Sequence, residues 1–335
     1  MQASGSGGGI QELLASTKVV DLLPAGFSLK HIDSQDSVEL GLRLLVQNNI
    51  YSAPVLDAEK SEFLGLIDLN DVVLHLVRVF LKQATGSEEL SPEAIQKLAT
   101  HRFKAADLSH MLTHFMTHPI KDLINLSGTN ALRTTSNEAS VQSVLDTMVK
   151  EQLSRIVVVE GDSNRVVGLV SQSNIVNFLA KHESALGPIA SKTLGEAKIG
   201  SSHVIAVPTD TSTIVAFAKI CLHNISHLAI TNEHGHLVGN ISLKDVKGAG
   251  DFAGLVGHVY DYVNAIRREN LKAVHPAIHA NDTETVGRTI VRLATIHIHR
   301  IYLTHIEKGQ QDKVSSYAPS GVVSLRDVLS LFVSS

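Results

Sequence analysis

Four polar side chains, Asp71, Asn174, Asp245 and Asp327, each stand three residues after a small polar residue and six after a glycine. The phrases read Gly65-Leu-Ile-Asp68-Leu-Asn-Asp71, Gly168-Leu-Val-Ser171-Gln-Ser-Asn174, Gly239-Asn-Ile-Ser242-Leu-Lys-Asp245 and Gly321-Val-Val-Ser324-Leu-Arg-Asp327. A carboxylate offers two acceptor oxygens, so an Asp at the mouth of a cleft can take both hydroxyls of a ribose. The hydroxyls of Ser242 and Ser324, with a helix N-terminus behind them, suit an anionic phosphate. The same spacing is that of a capping box, in which the hydroxyl and the later side chain satisfy each other's backbone. The two readings overlap, because a cap can also touch a ligand. The last residue discriminates: Asn174 can cap, but an amide is a poorer partner for paired hydroxyls.

A phrase repeated four times fixes the architecture around it. Upstream of each copy lies a polar run (Asp33 to Ser37, Thr134 to Ser140, Thr209 to Thr213, Asn281 to Thr285) and then an apolar stripe at helical spacing. A short strand follows (Ala53–Leu56, Arg155–Val159, His227–Ile230, Arg300–Leu303), then a hairpin, the glycine strand and a second helix. The unit is β-α-β-β-α, used four times in an α/β chain, with the phrase at a strand-to-helix junction each time. The expected divisions are a tail over 1–17, repeats over 18–84, 118–186, 187–250 and 272–335, and helical linkers over 85–117 and 251–271. Ser91-Pro92-Glu93 reads as a helix start and Val259 to Glu269 as a linker helix, while Gly248 to Gly257 reads as a break. The fourth hairpin is extended by Gly309 to Ser320.

The 335 residues are 44% hydrophobic with no tryptophan, which suits cores of Val, Ile, Leu and Ala. A net charge of −4 gives no global pull toward nucleic acid or anionic lipid. The single Cys221 excludes an intrachain disulfide framework and reads as a buried core thiol. No apolar run approaches the ~20 residues of a membrane helix, and Met1 to Gly9 has neither signal- nor transit-peptide character. The expectation is a soluble cytoplasmic or nuclear protein with no membrane or nucleic-acid partner.

The phrases and their surroundings resemble the CBS domain, which pairs into nucleotide-binding Bateman modules. Four copies, with Val238-Gly-Asn-Ile-Ser-Leu-Lys-Asp245, Ile298-His-Arg-Ile-Tyr302 and the fourth phrase, look like the gamma regulatory subunit of the AMP-activated (Snf1-type) protein kinase family. The resemblance covers nearly everything from Lys18 onward. It implies two Bateman modules forming a flat disc with AMP, ADP or ATP at its centre. It assigns ribose contacts to Asp71, Asp245 and Asp327. It assigns phosphate contacts to Arg155, Ser226, His227, Ser242, Lys244, His299, Arg300, Ser324 and Arg326. It further implies kinase catalytic alpha and beta subunits as partners. Departures stand at Tyr51, where the family often has arginine, at Asp68 in place of a hydroxyl, at Ser154 in place of histidine, and at Ser173 in place of lysine. Fewer cations weaken polyphosphate binding, since each contact is charge-assisted.

Eighteen histidines raise a metal reading: His110, His114 and His118 share a helix face, His297 and His299 alternate along a strand, and His234 and His236 sit in a hairpin. None offers the converging Cys or carboxylate partners that zinc needs, so no metal site is expected. There is no Gly-x-Ser-x-Gly elbow, no Cys–His nucleophile pattern and no P-loop, so no enzyme is expected. Two alternatives to a kinase subunit stay open: a free-standing adenosyl-ligand-binding protein, and a scaffold whose phrases are only caps.

Overall fold

The computed structural model describes residues 9–23, 29–57, 59, 62–129, 132–161, 165–201, 203–248, 250, 252–269, 278–304 and 318–334. Most of the extended fourth hairpin and residues 1–8 lie outside them. Helix α1 (Ile10–Ser16) comes first, with Ile10 and Leu14 buried, which corrects the tail expected over 1–17. The first repeat is β1 (Ile32–Asp33), α2 (Val38–Gln47), β2 (Ser52–Asp57), β3 (Glu62–Asp68) and α3 (Leu69–Thr85). Helices α4 (Pro92–Thr100) and α5 (Ala105–Thr117) follow, and Ser91 Oγ caps α4 by accepting from Ala94 N. The second repeat is β4 (Thr134–Ser136), α6 (Val141–Lys150), β5 (Arg155–Glu160), β6 (Arg165–Ser171) and α7 (Gln172–Lys181). After the short α8 (Leu194–Ala197) comes the third, β7 (Ala206–Pro208), α9 (Thr213–Leu222), β8 (His227–Thr231) and β9 (Leu237–Ser242). Its closing element is a 3-10 helix, Leu243–Gly248, rather than the α-helix expected. The glycine-rich break holds α10 (Phe252–Val256), and α11 spans Val259–Glu269 as expected. The fourth repeat is β10 (His279–Ala280), α12 (Val286–Ile296), β11 (Arg300–Thr304), β12 (Pro319–Ser324) and α13 (Leu325–Leu329). Among the described residues no helix is long and apolar enough to cross a membrane.

Each repeat has one three-stranded sheet, its first strand parallel and its third antiparallel to the middle one. The chain divides into two compact units, each with its own apolar core. One contains the first and third repeats (Lys30–Ala131 and Ile205–Ala277); the other contains the second and fourth, with the N-terminal segment. Inside each unit the contact between repeats is helical: α3 packs on α9 in one, and α7 on α12 and α13 in the other. The apolar stripes of both helices in a repeat give it a second hydrophobic face, and this face is buried within the unit.

Two of the phrase glycines, Gly65 and Gly321, have a packing reason that Gly239 lacks. A Cβ at Gly321 would stand 2.8 Å from the Ser201 carbonyl oxygen, because Ser201 runs antiparallel against Val322. A Cβ at Gly65 would meet Ile124 Cγ2 at 2.6 Å, and Asn125 N donates to Leu66 O in the same crossing. At Gly239 the nearest atom is Ile230 Cδ1 at 3.7 Å. Gly321→Ala is therefore expected to destabilise its unit by ~1–3 kcal/mol, since a backbone oxygen must move. Gly239→Ala should stay within ~0.5 kcal/mol of wild type. Equal urea midpoints for the two variants would remove the packing explanation.

Candidate functional site

The register of every sheet places the first residue of the middle strand opposite the cap of the closing helix. Ser52 faces Asp68, Arg155 faces Ser171, His227 faces Ser242 and Arg300 faces Ser324. The site residues read from sequence on two separate segments are thus neighbours across a ladder.

The cap reading holds in all four phrases. Asp327 Oδ2 accepts from Ser324 N and Ser324 Oγ, both at 2.7 Å. Asp245 Oδ2 accepts from Ser242 N at 2.8 Å and Ser242 Oγ at 2.9 Å. Asn174 Oδ1 does the same for Ser171, at 3.0 and 2.6 Å. The hydroxyl protons of Ser242 and Ser324, assigned above to phosphate, are committed to these caps. The Oδ1 atoms of Asp245 and Asp327 accept no hydrogen bond from any described residue. This corrects the expected two-oxygen grip on a ribose: each Asp presents one open oxygen. Asp245 is buried and Asp327 half-buried.

Asp71 differs. It is fully buried, and Oδ2 accepts from Asp68 N at 2.9 Å. Its Oδ1 accepts from Ser127 N at 2.8 Å and Ser127 Oγ at 2.7 Å. Burial first, then the neighbouring Asp68 charge, raise its pKa to about 7, and the Ser127 bonds only partly offset them. Both oxygens of this assigned ribose ligand are engaged within the fold.

In the unit of the second and fourth repeats, cations gather at Asp327. Burial lowers the Arg300 pKa, while Tyr302 and Asp327 support its charge and Arg326 opposes it. Arg326 reaches the second repeat, donating to Gln152 O at 2.9 Å. His299 Nε2 lies 3.2 Å from Ser173 Oγ on the N-terminus of α7. In the other unit Lys244 crosses to the first repeat in the same way: its Nζ sits 4.3 Å from the Tyr51 ring centroid and donates to Asn49 Oδ1 at 3.3 Å. Tyr51, a departure from the family pattern, thus holds the cation by its ring face. Ser226 Oγ lies 3.0 Å from His227 Nδ1.

Sequence reasoning missed Asn49 and Gln152, the receivers of those cations. With Asn224 and His297 they form a left-handed set, φ 51°, 57°, 47° and 55°. Each stands three residues before its middle strand, and that shared position was the available signal. The same finding corrects the strand reading of His297: it is the turn residue ending α12, and β11 begins at Arg300. His110 and His114 lie on α5 and His118 is the extended residue that ends it, and no group of His, Cys, Asp or Glu among the described residues can hold a metal ion.

The CBS domain family model matches residues 113–181 and 197–250. A crystal structure from Methanocaldococcus jannaschii, described as that of a candidate archaeal homologue of g-AMPK, covers 95% of this chain and all of its own at TM-score 0.65 and 16% identity. An uncharacterised conserved protein from Pyrococcus horikoshii has the same coverage at TM-score 0.53 and 13% identity. The fold is a mixed α/β CBS-repeat fold, and the geometry extends it to the first and fourth repeats. In sequence the chain is 24% identical over 312 residues to Protein SDS23 of Candida albicans, covering 86% of this chain and 48% of that protein. It is also 24% identical over 322 residues to 5'-AMP-activated protein kinase subunit gamma-3 of Bos taurus, covering 93% and 57% respectively. The chain spans between 48% and 59% of the length of the first curated relatives it matches.

Proposed function

We propose that this chain is a non-catalytic sensor of adenine nucleotides, in which AMP, ADP and ATP compete for sites at the caps of the third and fourth repeats. The observation that carries the reading is the cluster at Asp327: one open carboxylate oxygen for a ribose hydroxyl, beside Arg300, Arg326 and His299 for phosphate. A charged acceptor and a desolvated guanidinium at one strand-to-helix junction match the two ends of a nucleoside phosphate. Asp245 with Lys244 and His227 forms the corresponding set in the third repeat. The likeness to a kinase gamma-3 subunit and to the archaeal structure supports a place beside catalytic alpha and beta subunits of a heterotrimeric Ser/Thr kinase, in cytoplasm or nucleus. Regulation then requires the competing nucleotides to favour different states of the assembly, since equal affinity for both shifts nothing.

Asp327→Asn is the sharpest variant, because Asn174 shows that an amide preserves the cap. Calorimetric titration with AMP and ATP should show roughly 10-fold or greater weakening, the loss of a hydrogen bond to a charged group. Unchanged affinity refutes the ribose role.

A second reading is a free-standing adenosyl-ligand protein. The similarity to Protein SDS23, a name that specifies no kinase, has identity and coverage comparable to the gamma-3 match and requires no kinase partner. Co-purification from source cells separates the two, because only a kinase subunit brings alpha and beta chains with it.

A further inference from the structure

The first-repeat acid is buried under a segment of its own unit. Ser127 places an N–H and an O–H on the same carboxylate oxygen of Asp71, at 2.8 and 2.7 Å. Thr129 Oγ1 lies 2.7 Å from Ser127 Oγ and accepts from Asn70 Nδ2 at 3.3 Å. Two hydroxyls at hydrogen-bonding separation, one of them donating to a carboxylate, reproduce the pattern of a vicinal diol on an acid. Gly128, at φ 69°, makes the turn that brings the two side chains together, and Asn125, at φ 50°, starts it. Upstream, Asn125 N donates to Leu66 O at 3.2 Å, and bare Gly65 admits Ile124.

The fourth repeat is the internal control. Ser201 crosses β12 as Asn125 crosses β3, donating to Val322 O at 2.8 Å. Two residues on, where Ser127 meets Asp71, His203 N instead bonds back to Ser201 Oγ at 3.1 Å. Asp327 keeps its open oxygen. The crossing is shared by the two repeats, but the hydroxyl on the acid belongs to the first.

We propose that residues 125–129 are a built-in occupant of the first-repeat site, with Ser127 and Thr129 standing where the sugar hydroxyls of a nucleotide would bind, so that this site is closed until the segment lifts. This deepens the nucleotide-binding reading above and rests on it. Occupancy of the site then carries the cost of displacing the segment, and a ligand reaches it only after filling the open sites of the third and fourth repeats.

The test is AMP titration of the full chain as wild type, Thr129→Val, and Ser127→Ala/Thr129→Val, followed by calorimetry and equilibrium dialysis. The double variant is expected to bind one more AMP per chain than wild type, or to bind its weakest AMP about 10-fold more tightly. The single variant should show a smaller gain, and it remains informative if the double variant does not fold. Adding Asp71→Asn should abolish the gain. No gain in either variant overturns the proposal, whatever the wild type binds. Asp327→Asn in the wild-type background reports separately on the open fourth-repeat site, so failure of that reading is seen independently.

Discussion

Acidification from pH 6.5 toward 3 will weaken the α3–α5 contact by up to about 5 kcal/mol through one residue, His75. His75 is buried on α3, and its Nε2 has no hydrogen-bond partner among the described residues. Its ring stacks on Phe115 at 5.5 Å and lies 4.4 Å from His118 and 6.4 Å from His114, all on or just after α5. Burial, then His118, His114 and Arg78, lower its pKa to about 3. Asp122 lies 3.5 Å from His118 and partly compensates that ring rather than His75. The sign follows from proton counting. Below pH 6.5 the unfolded chain takes up a proton that the folded chain refuses, so stability present above 6.5 is lost as pH falls toward 3. His75→Phe removes the titrating group and keeps an aromatic ring against Phe115. Hydrogen exchange of α3 and α5 amides at pH 7 and pH 4 is the measurement. The variant should be better protected than wild type at pH 4 by more than any difference at pH 7. Parallel pH dependences would show that His75 does not carry the effect.

The second large effect has the opposite sign and sits one helical turn away. Asp71 has its pKa raised from 3.8 to about 7, so the folded state holds a proton that the unfolded state releases. Its contribution is present below pH 3.8 and lost as pH rises through 7, a change of about 4 kcal/mol. Asp71→Asn cannot ionise. Its stability relative to wild type should therefore climb by about that amount between pH 4 and pH 8, read as urea midpoints of the intact chain. With the amide oxygen on the Asp68 N–H, as Asn174 has it on Ser171, the amide nitrogen faces the Ser127 N–H, donor against donor, a constant offset of ~1–3 kcal/mol that leaves the slope intact. A flat difference between the two pH values would place the charge elsewhere. Between pH 4 and 6.5 the His75 and Asp71 slopes nearly cancel in wild type. Each single variant should therefore be more pH-dependent than the parent, in opposite directions.

The repeat itself was readable without coordinates. Periodicity separates helices from strands, and four copies of one spacing reinforce each other where a single copy would be ambiguous. Local chemistry was equally legible: Ser324 with Asp327 and Ser171 with Asn174 are contacts three residues apart, set by helix geometry once the helix starts there. For the same reason Ser91 was identifiable as a helix cap.

Only the folded chain shows which oxygen of each acid is left open. Asp71, Asp245 and Asp327 are alike in sequence context, yet among the described residues only Asp71 has its second oxygen covered, by Ser127 from 56 residues downstream. Likewise Arg326 meets Gln152 across 174 residues, and Lys244 meets Asn49 across 195. Such contacts depend on which repeats share a core and where a crossing segment lies. No periodicity encodes that, because it arises from burying helical faces of repeats that are distant in the chain. The sequence determined the four caps and the groups that stand beside them; tertiary packing decided which caps can receive anything, because an acid's free acceptor is fixed by whatever chain is packed against it.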